Sequence, residues 1–346
     1  MQDKITEAKE VLSRCRTDSG FYASPDRYYE EYWTRDLAYS TNGLIKAGYR
    51  KEVRAHLANI WNYQDHSGAV PRFFVKSKLN RAFKKLMSKI EGREVFFSLR
   101  SFRTTENIFN KWTIDSTPLA IIATYNYVKR TKDYLFFSLV KEKLAKAMKY
   151  VEKHTKNGFL MGGDWRDSLP ELKNEYLLSN NVILYRLLKF GEDKKQAEKL
   201  KRRINSEFWN GHYYVDNLNG KNFDTLGTSM AIIEGVVPRE RYKFIRKKFE
   251  EISSKYGLLN MLYVDAKARE LSRIENCDQV YAIWPFVSVH AIIAMRKMNA
   301  YELAKRELQK LNNLKGFYEW YDFTNGRPCG SSGQLWSAAT YLTLFG

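Results

Sequence analysis

The stretch YYEEYWTRDLAYSTNGL, residues 28–44, decides the interpretation of the whole chain. Its first half crowds aromatic and charged side chains together, and its second half opens a helix that is apolar nearly all round. Apolar residues on every side of a helix indicate burial on every side, whereas a single apolar stripe indicates a surface helix. The stretch therefore predicts an inner helix whose start is lined with aromatic rings and charges.

The same kind of helix recurs along the chain and alternates with a second, highly charged kind that carries one narrow apolar stripe. We predict six inner helices, at about 35–48, 116–130, 174–190, 225–235, 278–297 and 334–345. The six outer helices are expected at about 3–16, 50–64, 133–155, 192–208, 239–254 and 300–313. Strand-like alternation is limited to short pieces such as GHYYVDN. Six helical hairpins closed in a ring form an all-α (α/α)6 toroid, which we expect to be one domain over residues 1–346.

The segments that precede the inner helices share a composition. Each contains an aspartate, and nearly every one contains an aromatic residue: YWTRD, KWTIDSTP, GGDWRDSLPELKN, NFDTLGTS, ENCDQVYAIWP and YEWYDFTNGRPCGSSGQLW. If the inner helices run parallel, these segments meet at one end of the ring. Asp and Ser commonly cap helices, but capping does not explain the tryptophans and tyrosines. Aromatic faces that stack on sugar rings, beside carboxylates and arginines that bind hydroxyls, indicate a carbohydrate site.

The formal charge of +19 suits nucleic acid, anionic lipid or an acidic ligand in principle. Much of it lies on mixed Glu/Lys helices such as EDKKQAEKLKRR, which are typical of a solvated surface. No nucleic-acid-binding signature is present, so we expect no nucleic acid partner.

Localisation is predicted from what the sequence lacks. The sequence contains no run of about 18 apolar residues, so we predict no membrane span. The N-terminus has no apolar signal-peptide core. Cys15, Cys277 and Cys329 are far apart and lack zinc-site spacing. We expect free thiols, no metal, no cofactor and a cytoplasmic protein.

Four stretches resemble the six-hairpin glycosidases, which include glucoamylase, trehalase, the processing α-glucosidase, mannosylglycerate hydrolase and the debranching-enzyme glucosidase domain. YWTRD resembles the family segment that holds the hydroxyls of the sugar being cleaved, and TIDSTPLAIIATYNYVKRTKD resembles its Asp-Ser-x-Pro-Leu helix. GGDWRDSL resembles the segment that bears the general acid. GFYEWYDFTNGRPCGSSGQLWSAATYL resembles the closing segment, whose Glu is the general base. The stretches keep the family's order from about residue 28 to the end.

The resemblance implies an inverting glycoside hydrolase that cleaves an α-glycosidic bond in a small or short gluco- or manno-configured substrate. Inversion requires two carboxyl groups about 6.5–9.5 Å apart. The matching segments make Asp167 the acid and Glu319 the base, on opposite sides of the ring. The acid needs a raised pKa, which packing against Trp165 is expected to supply. Other interpretations remain: Asp167 pairs with Arg166 or caps its helix, Glu319 is a surface residue, or Asp164, Glu171, Glu175 or Asp322 takes a catalytic role.

The remaining site residues are assigned by type. Arg35 and Asp36 are expected to bind sugar hydroxyls, although a local salt bridge between them is the alternative. The candidates for stacking on sugar rings are Trp33, Trp112, Trp165, Trp284 and Trp320. Asp115 either binds the sugar or caps its helix, as do Asp224 and Asp278 more weakly. Lys173 and Asn174 are expected to position the acid.

Two features depart from the family. QVYAIWPF keeps Trp284 and Pro285 but lacks the Arg-Gly that often precedes them, and no accessory β-domain is present, which favours a short substrate. A basic insertion at about 75–104 breaks the hairpin rhythm and is interpreted as a lid. Its charge suits an anionic aglycone, such as a glycerate or phosphate group, or a partner surface, and a solvated helix is the alternative.

Two other functions fit an α/α toroid. A polysaccharide lyase or uronyl hydrolase suits the basic charge and would use bases such as His66, His212 or His290. A sugar-binding toroid without catalysis is the non-enzymatic alternative. Asp167 and Glu319 at the expected positions favour the hydrolase.

Overall fold

Twelve α-helices account for most of the described chain. The structure is a computed structural model that describes residues 2–28, 30–76, 113–167, 169–262 and 282–345. The helices are α1 (Gln2–Cys15), α2 (Thr34–Lys46), α3 (Arg50–Asn62), α4 (Ser116–Thr131), α5 (Tyr134–His154), α6 (Leu178–Phe190), α7 (Lys194–Glu207), α8 (Thr225–Ile233), α9 (Tyr242–Glu251), α10 (Pro285–Lys297), α11 (Tyr301–Asn313) and α12 (Leu335–Leu342). Two 3₁₀ turns lie at Pro170–Asn174 and Arg239–Arg241. The all-α prediction is confirmed.

Short strands join the helices. They are β1 (Arg16–Thr17), β2 (Gly20–Phe21), β3 (Tyr32–Trp33), β4 (Phe73–Phe74), β5 (Thr155–Lys156), β6 (Phe159–Leu160), β7 (Phe223–Asp224), β8 (Met261–Leu262), β9 (Ala282–Ile283), β10 (Trp320–Asp322) and β11 (Pro328–Cys329). The first eight pair as antiparallel neighbours in chain order, and β10 lies between β9 and β11. In these pairs Tyr32 faces Phe74 and Tyr321 faces Ile283.

The inner helices contact one another in an order that returns to its start. Helix α2 packs against α4, α4 against α6, α6 against α8, α8 against α10, α10 against α12, and α12 against α2. Outer helices cover this arrangement, with α1 on α12, α3 on α2 and α4, α5 on α4, α7 on α6, and α11 on α10. The alternation of two helix types along the sequence therefore corresponds to two layers in the structure.

Burial explains why the two helix types differ in sequence. Along α8 the buried residues run without a break from Thr225 to Ile232. In α7 only Ala197, Leu200 and Ile204 are buried, at the three- and four-residue spacing of a single helical stripe. The rest of α7 is charged and faces outward, so much of the positive charge lies on the outer layer.

The predicted helix ends differ from the observed ones most at the fifth inner helix, which begins at Pro285 rather than at 278. The third inner helix begins at Leu178 rather than at 174, because Pro170–Asn174 forms a separate 3₁₀ turn. The last one spans Leu335–Leu342, inside the predicted 334–345. The basic insertion at about 75–104 lies almost wholly outside the described residues. Cys15 and Cys329 are free thiols, and Cys277 lies outside the described chain. Within the described ranges no helix is long and apolar enough to cross a membrane.

Gly43 sets the distance between the first and last inner helices. A Cβ atom at this position would lie 1.8 Å from the carbonyl oxygen of Ala339 in α12. The opposing atom belongs to the backbone, so a side chain at position 43 requires the two helices to separate. Because α2 and α12 come from opposite ends of the chain, this close approach completes the ring of helix contacts.

We expect Gly43→Ala to lower the free energy of unfolding by about 3 kcal/mol or more, because overpacking here moves a whole helix. Gly191→Ala is the matched control: its Cβ would meet its nearest neighbours only at 3.6 and 3.9 Å. Urea unfolding should show a change within about 0.5 kcal/mol for the control. Equal, small effects of both substitutions would contradict the close packing of α2 against α12.

Candidate active site

Backbone amides at the starts of the inner helices bond to neighbouring loops. The first residues of four inner helices donate to a carbonyl in the loop that follows an outer helix: Thr34 to Arg72, Leu178 to Asp216, Thr225 to Asn260 and Leu335 to Ala23, at 2.8–3.2 Å. Ile114, two residues before α4, donates in the same way to Gly163 at 2.9 Å, and α10 begins with Pro285, which has no amide hydrogen. These bonds bring the segments before the inner helices together at one end of the ring. In the described chain, the six residues at the N-cap positions of the inner helices make no side-chain capping bond.

The capping interpretation of Asp115 is wrong, because its carboxylate makes no bond to its own helix start. Asp224 keeps a capping position: burial raises its pKa to about 7, and the backbone amide of Gly227, in the first turn of the same helix, opposes that rise. Outer helices are capped more plainly, since Asp133 accepts from the Phe136 amide at 2.9 Å and Asp193 from the Gln196 amide at 3.0 Å. Asp115, by contrast, is left available for other contacts. Asp278 lies outside the described residues.

A buried arginine on α2 joins three segments of the chain. Arg35 donates from Nε and Nη2 to the two oxygens of Asp115 at 2.7 and 2.8 Å, and from Nη1 to Asp167 Oδ2 at 2.9 Å. A fourth bond, at 3.3 Å, goes to the carbonyl of Asp164. The predicted alternative, a local salt bridge between Arg35 and Asp36, is not what the structure shows. Arg35 instead fixes the relative positions of α2, α4 and the 162–167 segment.

Arg72 is a site residue that the sequence interpretation missed. Its Nη2 lies 2.5 Å from Asp167 Oδ2, and its guanidinium group lies over the Trp33 ring, 4.5 Å from the centroid. The signal in the sequence is an arginine inside the apolar run AVPRFFV, because a charge there is buried with a partner. Together, Arg35, Arg72, Asp115 and Asp167 form a buried cluster that we call the arginine–carboxylate network.

Asp167 makes neither of the contacts predicted for it, pairing with Arg166 or packing in an apolar pocket formed by Trp165. The neighbouring Arg166 binds Asp164 instead, through Nε and Nη2 at 2.9 Å each. Trp165, expected to surround Asp167 with apolar surface, is 1% exposed and packs edge to face against Trp284. The two arginines on Oδ2 favour the ionised form of the carboxyl group.

Glu319 is buried and held at both oxygens, so it is not a surface residue. Tyr28 donates its hydroxyl to Oε1 at 2.9 Å, and the Ser331 amide donates to Oε2 at 3.0 Å. The exposed Arg27 lies 3.6 Å from Oε2. Burial raises the pKa of Glu319, and the charge of Asp167 raises it further, against the opposing effect of Arg27.

A chain of polar contacts links Glu319 to Asp36. The amide of Ser331 bonds Glu319, and the hydroxyl of Ser331 bonds Gln334 Oε1. Gln334 then donates from Nε2 to Asp36 Oδ1 at 2.9 Å. Burial raises the pKa of Asp36 to about 8; Arg35 opposes this rise, and the carboxylates of Glu319 and Asp167 add to it. The charges of Glu319 and Asp167 thus both act on the carboxyl group of Asp36.

The aromatic candidates separate into two groups. Trp33 and Trp320 are half-buried, and Trp33 donates its indole NH to Glu31 at 2.9 Å. Trp165 and Trp284 are 1% and 2% exposed, so in this structure they are core residues rather than stacking surfaces for a sugar. Trp112 lies outside the described chain.

The other predicted site residues lie further from the network. Lys173 and Asn174 are exposed on the 3₁₀ turn, as is Glu171, and neither of the first two makes a side-chain hydrogen bond within the described residues. Asp322, the alternative base, bonds Thr324 and Asn325 in an exposed turn.

The histidines suggested for a lyase lie elsewhere. His66 and His212 are exposed on loops, and His290 is in the second turn of α10.

Solved structures that share this fold include glycosidases. A GH63 mannosylglycerate hydrolase from Thermus thermophilus, solved in complex with glucose, matches with a TM-score of 0.71 at 15% identity, over 98% of this chain and 99% of that one. The same hydrolase in complex with Tris and D-glycerate matches at 0.70 and 14%, over 99% of both chains. A glycosidase variant in complex with glucose matches at 0.68 and 12%, over 99% and 95%.

These structural matches confirm, at the level of the fold, the resemblance to six-hairpin glycosidases. In sequence, no protein-family profile matches the chain. No curated protein matches it either.

We expect Asp36→Asn to become more stable relative to the wild type as pH rises from 5 to 8. The pKa of Asp36 is raised to about 8 in the fold, so the folded protein holds a proton that the unfolded chain releases near pH 4. The stability that this proton confers falls as pH rises through the window, and asparagine has no such proton. Chemical unfolding should show a relative gain of about 1 kcal/mol or more.

The exposed Asp18 provides the control. The stability difference between Asp18→Asn and the wild type should stay flat from pH 5 to 8. The same flat difference for Asp36→Asn would show that the buried carboxyl group does not titrate in this range.

Proposed function

We propose that the chain is a glycoside hydrolase built on an (α/α)6 toroid, with Asp167 and Glu319 as its catalytic pair. The observation that carries the proposal is the convergence of two distant segments on the start of α2. Arg35 bonds Asp167, and its neighbour Asp36 is linked through Gln334 and Ser331 to Glu319. The fold is that of solved glycosidases, and the site holds the paired carboxyl groups that cleavage of a glycosidic bond requires.

Glu319 is the general base in this proposal. Tyr28 and Ser331 each hold one of its oxygens, so its orientation is fixed before substrate arrives. A raised pKa makes a carboxylate a stronger acceptor of the proton from an attacking water. With the acid on the other side of the sugar, that water enters opposite the leaving group and the product anomer is inverted.

Asp167 is the general acid, and the two arginines set the condition for that role. In the substrate-free site both guanidinium groups favour its ionised form. A bound sugar whose hydroxyls take over one of these contacts weakens the stabilisation of the charge. Asp167 is then able to carry the proton that the leaving oxygen needs. The acid is thus assembled by the substrate, as catalytic hydrogen bonds often are.

The groups around this pair suit the hydroxyls and faces of one sugar ring. Asp36 supplies a carboxyl group whose pKa burial raises to about 8, and Arg35 and Asp115 supply a bonded pair of donor and acceptor groups beside it. Trp320 is the half-buried ring proposed for stacking, whereas Trp33 already stacks on Phe73 and lies under the Arg72 guanidinium group. Trp112, Lys173 and Asn174 remain candidates from the sequence alone.

We propose a small or short gluco- or manno-configured α-glycoside as substrate, with an anionic aglycone as the favoured variant. Arg27 is exposed beside Glu319, and Arg72 lies beside Asp167, so positive charge is available at the site. One of the solved mannosylglycerate hydrolase structures holds D-glycerate. The basic insertion adds charge by sequence.

We expect Glu319→Gln to lower kcat for a suitable α-glycoside by about 10³-fold or more, because no group then activates water. Asp322→Asn is the matched control: Asp322 lies three residues further along the chain, bonds Thr324 and Asn325 in its own turn, and its substitution should keep wild-type turnover. Both variants should unfold at the wild-type temperature. Near-normal turnover in Glu319→Gln would remove this residue from the mechanism.

We expect the loss in Asp167→Asn to depend on the leaving group. A natural disaccharide needs a proton on its leaving oxygen, so its hydrolysis should fall by about 10²-fold or more. A glycosyl fluoride needs little protonation and should be hydrolysed at a rate much closer to the wild type. Steady-state kinetics on both substrates measure this, and an equal loss on both would contradict the acid role.

A further inference from the structure

A second cavity lies on the axis of the ring, at the end away from the arginine–carboxylate network. Its volume is about 300 Å³, and all six inner helices line it. The lining residues come from beyond the first turns of these helices, such as Asn42 in α2, Arg130 in α4 and Thr340 in α12. The size is at the lower end of the range for small-molecule sites. The cavity plays no part in the hydrolase proposal.

Its rim is rich in hydrogen-bond donors and carries one excess positive charge. Arg130 donates from Nε to Asn42 Oδ1 at 2.7 Å, so the terminal nitrogens of Arg130 and the amide nitrogen of Asn42 remain as donors. Arg186 binds Asn126 Oδ1 at 2.8 Å and lies 3.3 Å from Glu234. Among these lining groups two arginines face one carboxylate, so the balance suits an anion.

The negative ends of the inner helices oppose an anion at this end, and basic side chains offset them. Inner helices end here, where unpaired carbonyls carry partial negative charge. Lys46 donates to the carbonyl of Leu342 at 3.1 Å, and Lys297 donates to that of Ile233 at 2.5 Å. Arg296 donates to Leu344 at 2.6 Å. The excess charge of Arg130 is therefore not cancelled by these helix ends.

The inner wall presents two polar groups that have no protein partner in the described chain. His290 donates from Nδ1 to the Phe286 carbonyl at 2.7 Å, which leaves Nε2 as an acceptor while the ring is neutral. Burial lowers the pKa of His290, so the ring is neutral at pH 7. The Tyr39 ring meets the His290 ring edge on, with centroids 5.6 Å apart, and its hydroxyl makes no hydrogen bond to the described residues.

Apolar side chains make up much of the remaining wall. They include Ile122, Ile183, Met230 and Ile293. A ligand that matches the cavity thus needs a negative end, a short hydrocarbon body and a hydroxyl at its other end. We propose that this cavity is a second binding site, for a small carboxylate with an apolar body and a terminal hydroxyl, held by Arg130 at the rim and by His290 and Tyr39 inside.

Three related probes test the proposal by calorimetric titration of the full chain at low salt. 6-Hydroxyhexanoate carries both end groups, hexanoate lacks the hydroxyl, and 1,6-hexanediol lacks the charge. We expect 6-hydroxyhexanoate to bind at least about tenfold more tightly than the diol, because a charge-assisted hydrogen bond is lost in the diol. Hexanoate should bind about threefold to tenfold more weakly than 6-hydroxyhexanoate.

Single substitutions test whether the probes bind in this cavity. Arg130→Gln should weaken 6-hydroxyhexanoate binding by about tenfold, whereas Arg202→Gln, at an exposed position on α7, should have no effect. Tyr39→Phe and His290→Phe should remove the preference for 6-hydroxyhexanoate over hexanoate. If none of the three probes binds at 10 mM, the proposal is overturned. It is also overturned by binding that survives Arg130→Gln but is lost in Arg72→Gln, because that result places the anion at the catalytic end.

Discussion

The arrangement of this protein depends on the buried Arg35 guanidinium group, which binds Asp115 and Asp167 at once. A charge removed from water at this depth is tolerated only if its partners are fixed with good geometry. Arg35 comes from α2, Asp115 from the start of α4, and Asp167 from the segment before α6. The three segments are thus locked in register by an interaction that costs several kcal/mol if one partner is removed. The same contacts place the carboxyl groups of the proposed site.

The way in which the inner helices begin connects fold to function. At α2, α6, α8 and α12 the first amide donates to a backbone carbonyl of a neighbouring loop, and Asp115 makes no capping bond at the start of α4. Asp115 binds Arg35, and Asp36 binds Gln334, which Ser331 orients. Asp133 caps the start of an outer helix, whereas Asp115, at the start of an inner helix, is free of that role and binds another side chain. One end of the ring thereby collects charged groups while the helix starts remain satisfied.

The two layers of helices could be predicted from the sequence, because they depend on the local spacing of apolar residues. The inner and outer helices were separable because burial on all sides and burial on one side give different apolar patterns. Arg72, Tyr28 and Gln334 were missed as site residues because their roles arise from contacts between segments distant in the chain. The burial of Trp165 and Trp284 was not predicted, for a related reason. Proximity to a catalytic segment in sequence does not show whether a ring faces the site or the core, and both rings face the core.

The central claim is that Asp167 and Glu319 act from opposite sides on one bound sugar. The stereochemistry of the first product tests it most directly. Proton NMR during hydrolysis of an α-glycoside should show the β-anomer first, followed by slow mutarotation, because water activated by Glu319 enters opposite the leaving group. Initial release of the α-anomer would contradict the claim: it would mean that Glu319 forms a covalent intermediate with the sugar, or that other residues perform the reaction.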